Sequence, residues 1–389
     1  MKSITFLMHN IYAVGGTVKT ITNLANQLVQ QGHTVKIISV FQSQREPYFE
    51  LDRRVHVTSL VNYQFKVRNI IPLTANRIRK FTPLLKPNII SIHEPGRKQY
   101  SSYIEHKLIE AIQKDTSDVI VGTRASHNIL IARFAHSQQY RVGMEHMNFT
   151  AYTEQYRNEI VHHYQNLDAI TTLTALDQSH YAQVLTTTPI FVVSNMIDEK
   201  RYHMMKQRQI IAAGRFEYEK GFDLLIEAVY NIQEDLRDEG YTVQIFGEGR
   251  EKEAIAQSIS YLRLQDLIFI RPTTQHLSTF IAESQITCIP SRNEGFGMTI
   301  LEAMNQGSIV VSFDGNVGPS SLIQHNINGF LVPYKDVSKL GQQLLDIIQN
   351  YNARTLKPIR EAGYKTVSDH HPEHIYQQFR AMLDTFRNH

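Results

Sequence analysis

Twice along this chain a β-branched apolar run closes on a glycine-bearing turn and continues as an amphipathic helix, and each time the pattern repeats downstream. The first series opens with "KSITFLM", "HNIYAVGG", "TVKTITNLANQLVQQG" and "HTVKIISVF". Within it Val18, Ile21, Leu24, Ala25 and Leu28 recur at helical spacing, Gly32 stops the helix, and Val35 to Val40 suits a parallel strand. Parallel strands joined through a helix need a right-handed crossover, which confines the chain to a doubly wound α/β sheet. Further strand candidates are "NIISIH", "DVIVGT", "YRVGMEH", "DAITTLT" and "IFVVSN". A polar stretch, "NMIDEKRYHMMKQRQ", reads as a linker. The second series then runs through "QIIAAGRF", "GFDLLIEAVYNIQEDL", "TVQIFGEG", "REKEAIAQSISYLRL", "LIFIRP", "ITCIPS", a helix after Thr299, "SIVVSFD" and "GFLVP". Two such series predict two Rossmann-like domains, residues 1–194 and 195–371, facing each other across a cleft. The last segment, 372–389, is helical in pattern and able to pack back on either domain, the first included.

At 389 residues and 42% hydrophobic content the chain can bury a core in each domain. Its one cysteine, Cys288, excludes a disulfide framework and points to a reducing compartment. His9 and Asn10 interrupt the N-terminal apolar run, and no stretch approaches about 18 consecutive apolar residues, so neither a signal peptide nor a membrane span is expected. Charge is uneven: residues 1–195 hold 20 Lys and Arg against 13 Asp and Glu, whereas the remainder holds 20 against 24. Between Arg53 and Lys98 ten basic residues (Arg53, Arg54, Lys66, Arg68, Arg77, Arg79, Lys80, Lys86, Arg97 and Lys98) face one acid, Glu94. Such a run is either a solvated surface or a contact for anionic lipid, a phosphate-containing polymer or nucleic acid. Its aromatics follow no RNA-binding signature, so no nucleic-acid partner is expected. His162-His163 and His370-His371 are adjacent pairs without zinc spacing, and no metal is expected.

In open parallel sheets ligands lie beyond the carboxyl ends of the strands, where helix N-termini present free N–H groups. The segment "SRNEGFGMTILEAM" falls at such a place: a strand ends at Pro290 and Ser291, and Gly295 and Gly297 let the backbone approach a ligand on the way into the helix. Glu294 is then an acceptor for hydroxyls. For Glu302 two roles stand, a ligand-holding carboxylate or the Glu of a Thr299-x-x-Glu302 capping box. A glycosidase acid and nucleophile would need the two carboxyls on opposite sides of a scissile bond; with one before the helix and one inside it, ligand holding is the simpler geometry. In "AAGRFEYEKG" Arg215 and Lys220 converge on a helix start, a combination of dipole, fork donor and ammonium suited to a diphosphate, with plain surface charge as the alternative. Gly247-x-Gly249 reads equally as a tight turn. Gly15-Gly16 lies at the mouth of the first helix without the third glycine of a dinucleotide fingerprint. His146 and His93 each follow a strand candidate, where a hydrogen-bonded structural histidine is the ordinary occupant.

In order and spacing, "GRFEYEKGFDLLIEA", "IFGEGREKE", "PSRNEGFGMTILEAMNQGSIVV" and "INGFLVP" resemble the C-terminal domain of family 4 retaining glycosyltransferases of the GT-B fold. The likeness runs from about Ile210 to Pro333 and extends more weakly to "GGTVKTITNLANQLVQQGHTV" and "EHMNF". It implies that Arg215 and Lys220 bind the donor's diphosphate and stabilise its departing charge. By the same resemblance Glu294 holds the transferred sugar, Glu302 the nucleotide ribose, and the N–H groups of Gly295, Phe296 and Gly297 complete the cradle. His146 corresponds to the histidine beside the reacting sugar and Gly15-Gly16 to the glycine loop of the acceptor domain. Two departures stand out: Arg271-Pro272 replaces a glycine common after that strand, and "GNVGPSSLI" replaces a Gly-x-x-Glu turn. The Gly-Pro form resembles wall teichoic acid glucosyltransferases, whose acceptor is a polyol-phosphate polymer.

The expectation is therefore an enzyme without a cofactor that moves a hexose or N-acetylhexosamine from a nucleotide sugar, UDP-linked, to a hydroxyl of an anionic polymer or lipid-linked acceptor. It would give an α-glycoside, act in the cytoplasm and touch the inner face of the plasma membrane through residues 53–98. The alternative is a non-catalytic sugar-nucleotide-binding subunit of an active partner.

Overall fold

The computed structural model describes the chain except residues 64–73, 75–77, 79–84, 316, 352–353, 355 and 387–389. It forms two compact units: Met1–Met196 together with Pro372–His389, and Ile197–His371.

The first unit is built on seven parallel strands: β1 Ser3–Met8, β2 Thr34–Gln42, β3 His56–Asn62, β4 Val119–Gly122, β5 Tyr140–Met144, β6 Ala169–Thr172 and β7 Ile190–Val192. Their order is β3-β2-β1-β4-β5-β6-β7, so the chain reverses direction across the sheet between β1 and β4. Side chains alternate between two buried faces as the pleat requires. Ile4, Phe6 and Met8 join one core with Val35 and Ile37, while Leu7 joins the other with Ile38 and Val40. The first face is covered by helix α1, Gly16–Gln30, and by the C-terminal helix Pro372–Thr385, whose Ile375, Tyr376, Phe379, Met382 and Leu383 enter the same core. The second face is covered by α2 Ser102–Gln113, α3 Ala125–Phe134 and α4 Glu154–Tyr164; α5 Ala175–Ala182 connects β6 to β7.

One strand expectation fails. "NIISIH" has a β-branched pattern, yet the N–H groups of Asn88, Ile89 and Ile90 donate to the Glu105 carboxylate at 2.9, 2.8 and 2.7 Å. With those donors taken by a side chain in the first turn of α2, no ladder forms. The position beside β2 goes instead to β3, a half-polar segment, "HVTSLVN", that hydrophobic patterning passes over.

The second unit holds six parallel strands: β8 Gln207–Ala213, β9 Thr242–Phe246, β10 Ile268–Arg271, β11 Ser284–Ile289, β12 Ile309–Phe313 and β13 Phe330–Val332. They lie in the order β10-β9-β8-β11-β12-β13, with the switch of direction between β8 and β11. Its helices are α6 Phe222–Asn231, α7 Gln233–Asp238, α8 Lys252–Tyr261, α9 Leu277–Glu283, α10 Met298–Asn305, α11 Val317–Leu322, α12 Val337–Gln349 and α13 Leu356–Asp369. The expected single helix after Gly221 is broken at Ile232 into α6 and α7. Much of the stretch read as a linker is laced to the end of α10. Arg201 donates to the Asn305 carbonyl at 2.9 Å, Asn305 to that of Glu199 at 3.0 Å, and Gln306 to that of Lys200 at 2.8 Å. The Lys206 ammonium reaches the Ser284 and Gln306 carbonyls at 2.9 Å each, and burial lowers its pKa to about 7.

Candidate functional site

The strand order makes the switch point of the second sheet the place where ligands of such sheets sit. Two loops meet there, one after β8 (residues 214–221) and one after β11 (residues 290–297). Gly221 makes the first contact possible: it caps α6 at φ 65°, and a Cβ on it would lie 2.1 Å from the Pro290 carbonyl oxygen. The Glu219 carbonyl then accepts from the N–H groups of Arg292 and Asn293 at 2.7 and 3.2 Å. With the loops so joined, the Lys220 ammonium lies 2.6 Å from Glu294 Oε2, and Ser291 Oγ lies 3.3 Å from the same oxygen. The Lys220 and Glu294 side chains are only 22% and 17% exposed, so the pair is screened by water far less than a surface ion pair. Cation and carboxylate, expected to grip different parts of a ligand, are thus in contact with each other. Arg215 is exposed, and its guanidinium forms no ion pair among the described residues.

Glu294 leads into α10, whose N-cap is Gly297 at φ 92° with no side chain capping it. The capping-box alternative is therefore corrected: Thr299 stands inside α10, not at its N-cap, and Glu302 is 7% exposed in the middle of the helix. Of the first turn of α10, the Ile300 N–H donates to the Gly297 carbonyl at 2.8 Å. Phe296 is buried, its ring 5.5 Å from that of His370. Its backbone is roofed by Gly318, where a Cβ would come within 2.5 Å of the Phe296 carbonyl. The Gly318 N–H donates to the Glu294 carbonyl at 3.3 Å. Gly318, within the stretch that stood out in the sequence as a departure, thus supports the Glu294 turn. Gly247 and Gly249 prove to be packing glycines, pressed against the backbone of residues 214 and 216.

In the first unit Gly15 precedes α1 in extended backbone, and among the described residues no atom beyond its chain neighbours lies within 4 Å of where its Cβ would be; Gly16 is the first residue of the helix. No packing reason demands glycine at Gly15. His146 follows β5, half-buried, with Nε2 shut from solvent and without a hydrogen-bond partner among the described residues. Burial lowers its pKa to about 4, which keeps the ring neutral at physiological pH. Glu145 before it is buried and accepts from Asn128 Nδ2 and the Tyr152 hydroxyl at 2.9 Å each and from the Tyr164 hydroxyl. Burial raises the Glu145 pKa to about 7 against the opposing pull of those hydrogen bonds. Spacing did not reveal this cluster, because its tyrosines come from α4 and its approach. His93 lies in the irregular segment after Ile90, not after a strand.

The basic stretch is less free than its composition implied. Arg54 pairs with Asp52 at 2.8 Å, and Arg97 spends its donors on the Ile90 and Pro87 carbonyls at 3.0 and 2.6 Å. Arg53, Lys86 and Lys98 are exposed, whereas Lys66, Arg68, Arg77, Arg79 and Lys80 lie outside the described residues. Among the described residues no three metal-ligating side chains gather, and no helix is long and apolar enough to cross a membrane.

Comparison with known proteins matches the model "Glycosyltransferase Family 4" to residues 14–201 and the model "Glycosyl transferases group 1" to residues 194–366, so that the two together span both units. The chain belongs to the family 4 glycosyltransferases. This glycosyltransferase is 24% identical to an uncharacterized glycosyltransferase of Haemophilus influenzae over 98% of its own length and 100% of the relative's. It is 22% identical to the poly(ribitol-phosphate) alpha-N-acetylglucosaminyltransferase of Staphylococcus aureus, over 83% of this chain and 68% of that one. Among solved structures, S. aureus TarM in complex with fondaparinux, alpha-GlcNAc-glycerol and UDP superposes with a TM-score of 0.77 at 15% identity, covering 98% of this chain and 99% of that one. The fold is GT-B.

Proposed function

We propose that this glycosyltransferase moves a hexose or N-acetylhexosamine from a UDP-linked donor to a hydroxyl of an anionic cell-envelope polymer, with retention of configuration and without a metal. The observation that carries this reading is the meeting of Lys220 and Glu294, 2.6 Å apart, at the switch point of the second sheet. An ammonium for the diphosphate and a carboxylate for sugar hydroxyls are already adjacent there, with exposed Arg215 in the same loop as Lys220 and α10 starting just after Glu294. As a donor binds, its diphosphate replaces Glu294 as the partner of Lys220, and the freed carboxylate takes the sugar hydroxyls. Two cations then stabilise the charge that develops on the leaving diphosphate, the largest need of this reaction. The acceptor hydroxyl gives its proton to that phosphate, so no protein nucleophile is required. Glu302 is assigned to the ribose and Gly295, Phe296 and Gly297 to the sugar cradle. The parts of Gly15, Gly16 and His146 rest on the family resemblance, supported by the open space at Gly15 and the unpartnered His146 nitrogen.

The acceptor class draws support from the poly(ribitol-phosphate) relative and from exposed Arg53, Lys86 and Lys98, which fit a phosphate polymer or the inner face of the plasma membrane. A cytoplasmic setting follows from the UDP-linked donor. The test is to screen UDP-glucose, UDP-galactose and their N-acetylhexosamine counterparts with poly(ribitol phosphate) and poly(glycerol phosphate), and to read the product's anomeric coupling by NMR. An α-linked product supports the proposal; a β-linked product, or no transfer from any UDP-sugar, overturns it.

A further inference from the structure

Arg292 stands two residues before Glu294, and both terminal nitrogens of its guanidinium are engaged, while its Nε is buried without a partner among the described residues. Its guanidinium binds Asp223 through both terminal nitrogens, at 2.7 and 2.5 Å, and donates to the Tyr218 carbonyl at 2.9 Å. Its flat face lies 4.0 Å from the centroid of the Tyr218 ring. Its own N–H donates to the Glu219 carbonyl at 2.7 Å, and its carbonyl accepts from the Tyr334 hydroxyl at 2.9 Å. The Arg292 side chain is 10% exposed and that of Asp223 55%, so the pair is shielded on its arginine side and open to water on the other. Burial alone would raise the Asp223 pKa; the hydrogen bond and charge of Arg292 outweigh it and hold the carboxyl below its usual range.

These partners sit at defined places. Tyr218 and Glu219 are the residues before Lys220, and Asp223 is the second residue of α6, just after Gly221. One side chain therefore ties the loop after β11 to both flanks of Lys220. We propose that Arg292 is a positioning residue for the donor: it clamps the two loops in the register that brings Lys220 and Glu294 together, and does not itself touch the sugar nucleotide. The inference rests on the donor-site reading above. A lysine could supply the charge but not the planar fork and the stacked face together.

The test compares UDP binding by calorimetry in the wild type, Arg292→Met, Arg292→Lys, Asp223→Asn and Lys220→Met, with donor and acceptor KM measured separately. Expected for Arg292→Met and Arg292→Lys is UDP binding about tenfold weaker, within the range of coupling between residues sharing a network, with donor KM raised and acceptor KM unchanged. That split is one a general loss of stability would not produce. Asp223→Asn should shift the same parameters in the same direction, and it decides the matter should Arg292→Met fail to fold. UDP binding within twofold of wild type in folded Arg292→Met, or in Asp223→Asn where that variant decides, overturns the inference if Lys220→Met is weakened. Full rescue by Arg292→Lys overturns the fork. Wild-type UDP affinity in Lys220→Met instead removes the donor-site reading, and the positioning role with it.

Discussion

Glu145 and His146 are neighbours in sequence whose burial works in opposite senses. Burial lowers the His146 pKa to about 4 and raises that of Glu145 to about 7. An unfolded histidine near 6.5 binds more protons than the folded one between pH 4 and 6.5, so the His146 contribution to stability is lost as the pH falls through that window. For Glu145 the folded state binds more protons between its ordinary pKa near 4.5 and 7; its contribution is present below that range and lost as the pH rises through it. Glu145→Gln removes the second effect alone. The stability difference between wild type and Glu145→Gln should therefore fall by on the order of 2–3 kcal/mol from pH 4.5 to pH 7. Denaturant unfolding at several pH values measures it, and a difference independent of pH would refute the ionisation assigned to Glu145.

At the scale of elements, the proposed chemistry falls on loops after parallel strands, and glycines decide how closely they approach. Gly318 and Gly15 make a contrasting pair. A methyl at Gly318 meets the Phe296 backbone within 2.5 Å, whereas one at Gly15 meets open space. Gly318→Ala is expected to cost about 1–3 kcal/mol, lowering the melting temperature by roughly 3–8 °C, and to weaken donor binding because the Glu294 turn must shift. Gly15→Ala should lower the melting temperature less, by the modest cost of alanine at the N-cap of α1, while reducing transfer if the open space there receives a substrate. Equal melting temperatures for the two variants would contradict the packing role of Gly318. These elements also mark where the sequence was readable. Strands buried on both faces, such as "TVKIISV", and the glycine turns beside them were legible because their composition is dictated locally. "NIISIH" was misread because a side chain seventeen residues from Asn88, that of Glu105, takes the backbone donors. Arg292 stood in a quoted motif without a role, because its partner Asp223 is 69 positions away and no spacing rule joins them.

Across the whole molecule, each unit is a separate doubly wound sheet with its own core, and the chain returns at Pro372 to complete the first one. That return was foreseeable only as an amphipathic helix, since its pattern does not say which sheet it covers. Arg215, Lys220 and Glu294 were legible as loop positions because they follow strand ends, whereas Glu302 lies inside α10. The pairing was not legible: the sequence suggested opposed poles, and the fold puts Lys220 against Glu294. The central claim is that this pair opens to hold an activated sugar, and calorimetric binding of UDP-glucose and UDP-N-acetylglucosamine to wild type, Lys220→Met and Glu294→Gln tests it most directly. Expected is micromolar binding of at least one donor to the wild type, about tenfold or more weaker in each variant, with the melting temperatures of all three within a few degrees. Undiminished donor binding in both variants would contradict it.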